Sequence, residues 1–371
     1  MATILHTADV HLDRAYAGAG MGTAIAAARR EELRAAFRRL IDLALELRVD
    51  AVTIGGDLYE HERVTPDTAN FIRAQLERLV DIPALVAPGN HDPFVPGSVY
   101  QRITWPPNVT IFKGPAFLPF ELAAGVTVWG AAHTTPDMRQ NLLTGLRLPE
   151  SGCHILLFHG SDMHSVPEGK PAHAPFMPDD VGATGADFAL LGHYHASRLF
   201  PPDRPAFVYP GTPEPLDFAE EGEHFVARLD IDESGAHCRL LPFGVVRYQT
   251  HSIDVTGLDS SDEIRAAISA RADSSLIART ILVGHLHPEV DFSLETLYNA
   301  CAESFAYLDL VDQTQPAYLI DELAEESTTK GVFVRLMRDR IHVLEGAERE
   351  IVEQALLYGL EAFDRREIRV R

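Results

Sequence analysis

Five short clusters of Asp, Asn and His side chains carry the residue types that bind divalent metal ions. Each cluster directly follows an apolar run, and such runs bounded by glycine or polar residues are typical of buried strands. The carboxyl ends of strands are where open α/β sheets build their sites, so we expect the clusters to converge. The metal-ligand candidates are Asp9, His11, Asp57, Asn90, His159, His193 and His195.

Asp57 follows the run Ala51 to Ile54 and two glycines, and its two carboxylate oxygens make it our candidate to bridge two metal ions. Two-metal hydrolysis needs ions roughly 3.5–4 Å apart that stabilise charge on phosphoryl oxygens. It therefore needs a bridging carboxylate and mixed nitrogen and oxygen ligands, which the candidates provide. Their lack of cysteine argues against a structural zinc site. Imidazole, carboxylate and amide ligands together suit Mn, Fe or Zn.

His91 lies next to Asn90, and adjacent residues of an extended turn point apart, so His91 can face a substrate while Asn90 faces a metal. We predict that His91 donates a proton to the leaving oxygen or stabilises charge there, with Asp92 available to orient its ring. Three other histidines in loops of this half of the chain could touch substrate, but we expect them to be solvent-exposed: His133, His164 and His173.

Strand and helix patterns alternate through the first two hundred residues, which favours a layered α/β domain. Apolar residues at helical spacing predict an amphipathic helix from Ala24 to Arg48, which would pack on the sheet that holds the clusters. After residue 248 the clusters stop. We predict a catalytic domain over 1–248, a small α/β domain over 249–315 and a mostly helical region over 316–371.

Composition limits the setting in which this chain works. It has 32 Lys and Arg against 54 Asp and Glu, a formal net charge of −22. Such a chain should repel a nucleic-acid backbone over most of its surface, although bound divalent cations reverse the local field at a site. No apolar run approaches the ~20 residues that span a bilayer, and the three distant cysteines fit reduced thiols. We read no export signal and expect a soluble, cytoplasmic protein.

The motifs DVHLD, GGDLYE, GNHD, FHG and GHYH, in this order, resemble those of the calcineurin-like metallophosphoesterases. More narrowly, HTADVHLD, GNHD followed by proline, and YPGTPEPLDF resemble the SbcD-type DNA repair exonucleases, bacterial relatives of the Mre-eleven nuclease. The resemblance covers residues 1 to about 245 well and the rest weakly. It implies an α/β fold, a layered sandwich of two mixed sheets flanked by helices, with the small α/β unit as a capping domain.

The resemblance also implies an activity and partners. The activity would be manganese-dependent hydrolysis of DNA phosphodiester bonds in repair, on duplex ends, on single strands or on both. Iron, zinc or magnesium are the other metals to consider. The partners would be DNA and an SbcC-type coiled-coil ATPase, which the helical C-terminal region could dock, and a homodimer is also allowed.

By motif position, the resemblance assigns residues to roles. The first metal would be held by Asp9, His11, Asp57 and His195, and the second by Asp57, Asn90, His159 and His193. His91 matches the catalytic histidine of the family. Some members carry a second catalytic histidine three positions after the bridging aspartate. Here that position is Glu60, followed by His61, and both could lie near the substrate.

Two other functions stay open on the sequence. A metallophosphodiesterase acting on a small nucleotide or another phosphoester would suit the acidic surface. A non-catalytic interaction subunit with a vestigial metal site is the third function, and the intact ligand set weighs against it.

Overall fold

A computed structural model describes residues 1–16, 23–166, 169, 171–287, 290 and 292–363 of the chain. The chain divides into two compact units, Met1–Tyr248 and Gln249–Arg371. The predicted α/β fold class is confirmed: two mixed six-stranded sheets, a smaller three-stranded sheet and C-terminal helices are present. The end of the predicted helical region, 364–371, lies outside the described residues.

The first unit is built on strands that are mostly short and buried. In the described residues these are β1 (Ala2–Thr7), β2 (Ala51–Ile54), β3 (Ala84–Val86), β4 (Val109–Ile111), β5 (Leu118–Ala123), β6 (Val126–Gly130), β7 (Cys153–His159), β8 (Phe188–Gly192), β9 (Arg198–Phe200), β10 (Phe207–Tyr209), β11 (Phe225–Asp232) and β12 (Gly235–Pro242).

One sheet has the order β12-β11-β1-β2-β3-β4 and the other the order β5-β6-β7-β8-β10-β9. Strands β1 to β4 pair in parallel, and so do β6, β7, β8 and β10. Because parallel neighbours end at the same edge, the loops after β1, β2 and β3 lie side by side, as do those after β7 and β8. Antiparallel strands β11, β12, β5 and β9 complete the outer parts of the sheets.

The helices of the first unit are α1 (Thr23–Leu47), α2 (Pro66–Glu77), α3 (Val99–Arg102) and α4 (Pro178–Ala183). Helix α1 confirms the predicted helix to within a residue at each end. Helix α2 begins after Thr65, whose side chain accepts a hydrogen bond from the Thr68 N–H and so satisfies a free donor of the first turn.

The main core lies between the two sheets. Side chains of the first sheet, including Ile4 and Leu85, meet side chains of the second, including Ile155, Leu157 and Leu190, all fully buried. Burial of such apolar surface is the dominant favourable contribution to folding. This two-layer core therefore fixes the strand ends that carry the candidate ligands.

The second unit contains a small sheet and a cluster of helices. Strand β13 (Arg247–Asp254) begins two residues before the unit, and the other elements described in it are α5 (Ser261–Ser269), β14 (Leu276–Val283), β15 (His285–Leu286), α6 (Leu294–Cys301), β16 (Tyr307–Asp312), β17 (Gln315–Pro316), α7 (Ile320–Glu325), α8 (Thr329–His342) and α9 (Gly346–Phe363). The three-stranded sheet has the order β13-β14-β16. Among the described residues, no helix combines the length and apolarity needed to cross a bilayer.

Candidate metal centre

The predicted clusters converge at the edge of the first unit where strands of both sheets end. Asp9 and His11 follow β1, Asp57 follows β2, His159 is the last residue of β7, and His193 comes directly after β8. The His11 N–H donates to the Asp57 carbonyl at 2.9 Å. The His193 N–H donates to both carboxylate oxygens of Asp9, at 3.1 and 3.0 Å. This last contact joins the ends of the two sheets.

Asp9, His11 and His195 form the first cluster, in which one ligand atom from each lies within 4.8 Å of the others. The Nε2 atoms of His11 and His195 face each other at 3.2 Å. Their Nδ1 atoms contact the carboxylates of Glu60 at 2.8 Å and Glu220 at 2.6 Å. Because each Nδ1 donates its hydrogen to a carboxylate, each Nε2 presents a lone pair to a common point, as metal-binding histidines do.

The second cluster is centred on His159. Its Nδ1 donates to the carbonyl oxygen of Gly55 at 2.8 Å, which leaves the lone pair on Nε2. This Nε2 lies 2.8 Å from the side-chain oxygen of Asn90, which follows β3, and 3.4 Å from a carboxylate oxygen of Asp57. The ring of His193 is 5.1 Å away between centroids. Imidazole, amide and carboxylate donors thus surround a second point.

Asp57 is shared by the two clusters. Its Oδ2 lies 3.4 Å from His159 Nε2 and 3.8 Å from His11 Nε2, and its Oδ1 accepts a hydrogen bond from the His91 N–H at 2.8 Å. The carboxylate is almost completely buried. A buried carboxylate between two sets of imidazole nitrogens has the position that a bridging ligand requires.

Burial and neighbouring rings set the pKa values of the two central carboxyl groups in opposite directions. Burial raises the pKa of Asp9 to about 8. Burial also acts to raise the pKa of Asp57, but the nearby His159 and His11 rings lower it below its usual range overall. Carboxylates sealed from water need a compensating positive charge. The residues present therefore fit a pair of divalent cations.

The backbone at the centre is strained. Positive φ angles are adopted by Asp9 (54°), His11 (51°), Asp57 (52°) and His193 (116°). This conformation costs a non-glycine residue about 1–3 kcal/mol and is found mainly at functional sites. Gly89 is needed for a different reason, since a Cβ at this position would collide with the carboxylate of Asp57.

Glu60 connects the first cluster to His91. One carboxylate oxygen contacts His11 Nδ1 at 2.8 Å and the other contacts His91 Nδ1 at 2.9 Å. The hydrogen bond to Glu60 raises the pKa of His91 to about 9. The His91 side chain is 43% exposed, whereas His11 is fully buried, so His91 is open to a substrate. The His61 N–H donates to the His91 carbonyl at 2.9 Å.

Asp92 does not orient the His91 ring, contrary to the sequence-based prediction. Its buried carboxylate instead accepts hydrogen bonds from the N–H groups of Asp57 at 2.9 Å and Gly89 at 2.7 Å, and from the Tyr100 hydroxyl at 2.5 Å. Backbone donors at this depth would be costly to leave unpaired. Asp92 therefore fixes the loops after β2 and β3, and Glu60 is the carboxylate that contacts the His91 ring.

A comparison with protein-family models matches residues 2–197 to the calcineurin-like phosphoesterases. The chain belongs to this family. With the His and Asp clusters of its centre, this makes the protein a metal-dependent phosphoesterase, which is a hydrolase.

The sequence of this phosphoesterase is similar to two kinds of curated protein. It is 27% identical to the uncharacterized metallophosphoesterase YhaO of Bacillus subtilis, over 94% of this chain and 91% of that protein. It is 26% identical to the DNA double-strand break repair protein Mre11 of Methanopyrus kandleri, over 66% of this chain and 55% of that protein. The chain thus spans about half of this Mre11. A crystal structure of TT1561 of Thermus thermophilus matches with 16% identity and a TM-score of 0.38, covering 64% of this chain and 98% of that one.

Glu220 is a residue of the phosphoesterase site that motif reasoning missed. Besides His195 Nδ1, its carboxylate accepts hydrogen bonds from the Thr212 hydroxyl and the Leu216 N–H, both at 2.9 Å. Thr212 and Leu216 belong to the segment YPGTPEPLDF, which the sequence had marked only as a resemblance. The sequence therefore contained a signal for this contact: Thr212 and Leu216 of the segment hold the Glu220 carboxylate, which in turn orients the His195 ring.

The three loop histidines differ from one another. His133 is fully buried, contrary to expectation, and its Nε2 contacts the His159 carbonyl at 2.9 Å. His164 is exposed, as expected. His173 is partly buried, and its ring centroid lies 5.4 Å from that of His193. His173 is thus adjacent to the second cluster of the phosphoesterase centre.

Proposed function

We propose that this chain is a two-metal DNA nuclease of the SbcD type, which hydrolyses phosphodiester bonds in DNA repair. The observation that carries the proposal is the double cluster centred on Asp57, with the exposed ring of His91 beside it. The similarity to proteins named for DNA double-strand break repair supports it. The proposed DNA substrates are duplex ends, single strands or both.

The proposed metals are two manganese ions, with iron, zinc or magnesium as alternatives. Bound divalent ions supply Lewis-acid stabilisation of phosphoryl charge and activation of the attacking water. The first site is proposed to use Asp9, His11, Asp57 and His195, and the second Asp57, Asn90, His159 and His193. The orientation of these rings by Glu60, Glu220 and the Gly55 carbonyl supports this assignment.

His91 is proposed to act on the leaving oxygen. With Nδ1 held by Glu60, its second ring nitrogen, Nε2, is the one that can donate a proton or a hydrogen bond to a substrate. The His91 N–H anchors the ring next to Asp57 by its hydrogen bond to Oδ1. Leaving-group assistance is therefore proposed within contact distance of the shared carboxylate.

The proposed partners are DNA, an SbcC-type coiled-coil ATPase and, where the chain self-associates, a second copy. Helices α8 and α9 support a docking role for the second unit. On their packed side they bury Val334 and Leu360, yet Leu336 and Ile351 remain 64% and 65% exposed. A docked ATPase would cover these two apolar side chains, and contiguous apolar patches mark protein-binding surfaces. The free thiols of the three cysteines support a reducing, cytoplasmic location.

A phosphodiesterase for small substrates is the second candidate. The net charge of −22 favours it, because a long polyanion is repelled by an acidic surface. Glu60 adds a carboxylate at the centre itself, next to the ring that would meet the leaving group.

The test compares linear duplex DNA, single-stranded DNA and bis-p-nitrophenyl phosphate as substrates of the full chain with saturating manganese. The control is the Asp57→Asn variant purified in parallel, because a contaminating nuclease would cleave DNA equally in both preparations. Cleavage of DNA by the wild type and not by the variant is the expected result. Rapid turnover of the small ester without DNA cleavage would refute the nuclease proposal in favour of the second candidate.

A further inference from the structure

The segment after β7 brings one more histidine to the second cluster. His173 lies between β7 and α4, and its ring is tilted 67° to the ring of His193 with the centroids 5.4 Å apart. Its position differs from that of His133, which lies behind His159 and is fully buried. His173 keeps part of its surface open, so it can reach a molecule bound at the centre.

The backbone of His173 is held in register with the strand that carries His159. Ser161, two residues after His159, donates from its N–H to the His173 carbonyl at 2.8 Å, and its hydroxyl accepts from the His173 N–H at 2.9 Å. Ala174 is buried, and its N–H donates to the Met138 carbonyl at 2.6 Å. Hydrogen bonds of the backbone at residues 173 and 174 thus fix the position from which the His173 side chain extends.

The glycine of the FHG motif is required by the same arrangement. A Cβ on Gly160 would lie 2.7 Å from the Ala174 carbonyl oxygen, closer than a side-chain carbon tolerates. Ala174 itself adopts a left-handed φ of 41°. Strained backbone that is held by surrounding contacts is characteristic of functional positions. The close approach of residues 173 and 174 to the ligand strand is therefore built into the sequence.

The His173 ring has hydrogen-bonding capacity to spare. Its Nδ1 is buried and has no hydrogen-bond partner among the residues that the structure describes. The nearest carboxylate, that of Asp137, is 4.0 Å away, which is beyond a hydrogen bond. With Nδ1 buried, Nε2 is the ring nitrogen left to meet a ligand, and the neutral ring can carry its proton there.

We propose that His173 is a further substrate-binding residue, whose ring donates a hydrogen bond to the phosphoryl group at the second cluster. The inference rests on the two-metal phosphodiester hydrolysis proposed for this centre and adds a contact outside its ligand set. The class of ligand is a phosphate mono- or diester, because a hydrogen-bond donor beside a cation pair matches phosphoryl oxygens. His173 would position the substrate without holding metal.

The test measures binding of inorganic phosphate to the full, manganese-loaded chain by calorimetry, together with metal content by elemental analysis. His173→Ala is compared with wild type and with His164→Ala, a matched control that removes an exposed histidine from the same segment. His173→Gln, which keeps a donor, covers the case in which the alanine variant folds poorly. We expect His173→Ala to weaken phosphate binding about tenfold, the effect of one hydrogen bond to a charged group, with two metals retained.

The outcomes separate this inference from the proposed function. Wild-type protein that binds manganese but not phosphate would refute this inference, whereas only the lack of DNA cleavage in the hydrolysis assay would refute the proposed function. Phosphate binding that is equal in wild type and His173→Ala would refute the role of His173 alone. Loss of metal from His173→Ala and His173→Gln would show that the ring merely supports His193, which also refutes the proposal. Recovery of phosphate binding in His173→Gln, with His164→Ala unchanged, is the supporting pattern.

Discussion

Replacing Glu60 by glutamine tests the orientation of the centre most directly. The carboxylate of Glu60 accepts hydrogen bonds from two rings, His11 at 2.8 Å and His91 at 2.9 Å. A glutamine side chain has one accepting oxygen and one donating amide, so it can satisfy only one of the two Nδ1 hydrogens. A hydrogen bond to a charged group contributes about 1.5–3 kcal/mol. Its loss corresponds to about a 13-fold to 160-fold decrease in kcat/KM.

The assay for Glu60→Gln is steady-state hydrolysis of bis-p-nitrophenyl phosphate across a manganese titration. Misorientation of His11 should raise the manganese concentration needed for half-maximal activity, and misorientation of His91 should lower kcat at saturating metal. Glu62→Gln is the matched control, because it removes the same charge from an exposed side chain two residues away. Equal loss in both variants would show a general charge effect. Activity of Glu60→Gln within twofold of wild type would refute the orienting role.

Four further predictions concern metal, catalysis, stability and pH. Asp57→Ala should lose both metals and all activity, whereas His91→Ala should keep two metals by elemental analysis and lose most turnover; a metal-free His91→Ala would show that His91 is a ligand. Chelation with EDTA should lower the melting temperature of the wild type measured by calorimetry, because it leaves buried carboxylates uncompensated, and an unchanged melting temperature would contradict this account. His6 is buried between Thr53 and Leu191, and burial lowers its pKa from 6.5 to about 4. In the unfolded chain His6 takes up a proton near pH 6.5, whereas in the folded chain it stays neutral down to about pH 4. Protonation of His6 should therefore lower the free energy of unfolding by about 2 kcal/mol between pH 8 and pH 5. Urea unfolding in EDTA should therefore show a pH dependence about 2 kcal/mol smaller for His6→Gln, and equal pH dependences would refute the assignment.

The positions of the site loops could be predicted from the sequence because each depends on local pattern. Strand β2 has the predicted bounds, Ala51–Ile54, since an apolar run followed by glycines leaves few alternatives. The loops then meet because parallel strands share an edge. Strand β10, Phe207–Tyr209, was missed because three residues between loops carry no readable period.

Contacts between distant segments could not be predicted in the same way. The pairing of Glu220 with His195 spans 25 residues and depends on how a loop packs. The burial of His133 depends on tertiary packing against the His159 strand, and a loop-like local sequence gives no sign of it. The orienting carboxylate of His91 was assigned to the neighbouring Asp92, while the fold supplies Glu60 from another strand end.

The contact of the His193 N–H with Asp9 joins the loop after β1 in one sheet to the loop after β8 in the other. Because the metal ligands come from both sheets, a bound cation pair would cross-link the sheets. Transient separation of the two sheets would then have to break metal coordination. Loading with manganese should therefore slow amide hydrogen exchange in β1 and β8 together. A metal-loaded centre would thus restrict the motion of the two sheets relative to each other, and the same few side chains would serve both catalysis and rigidity.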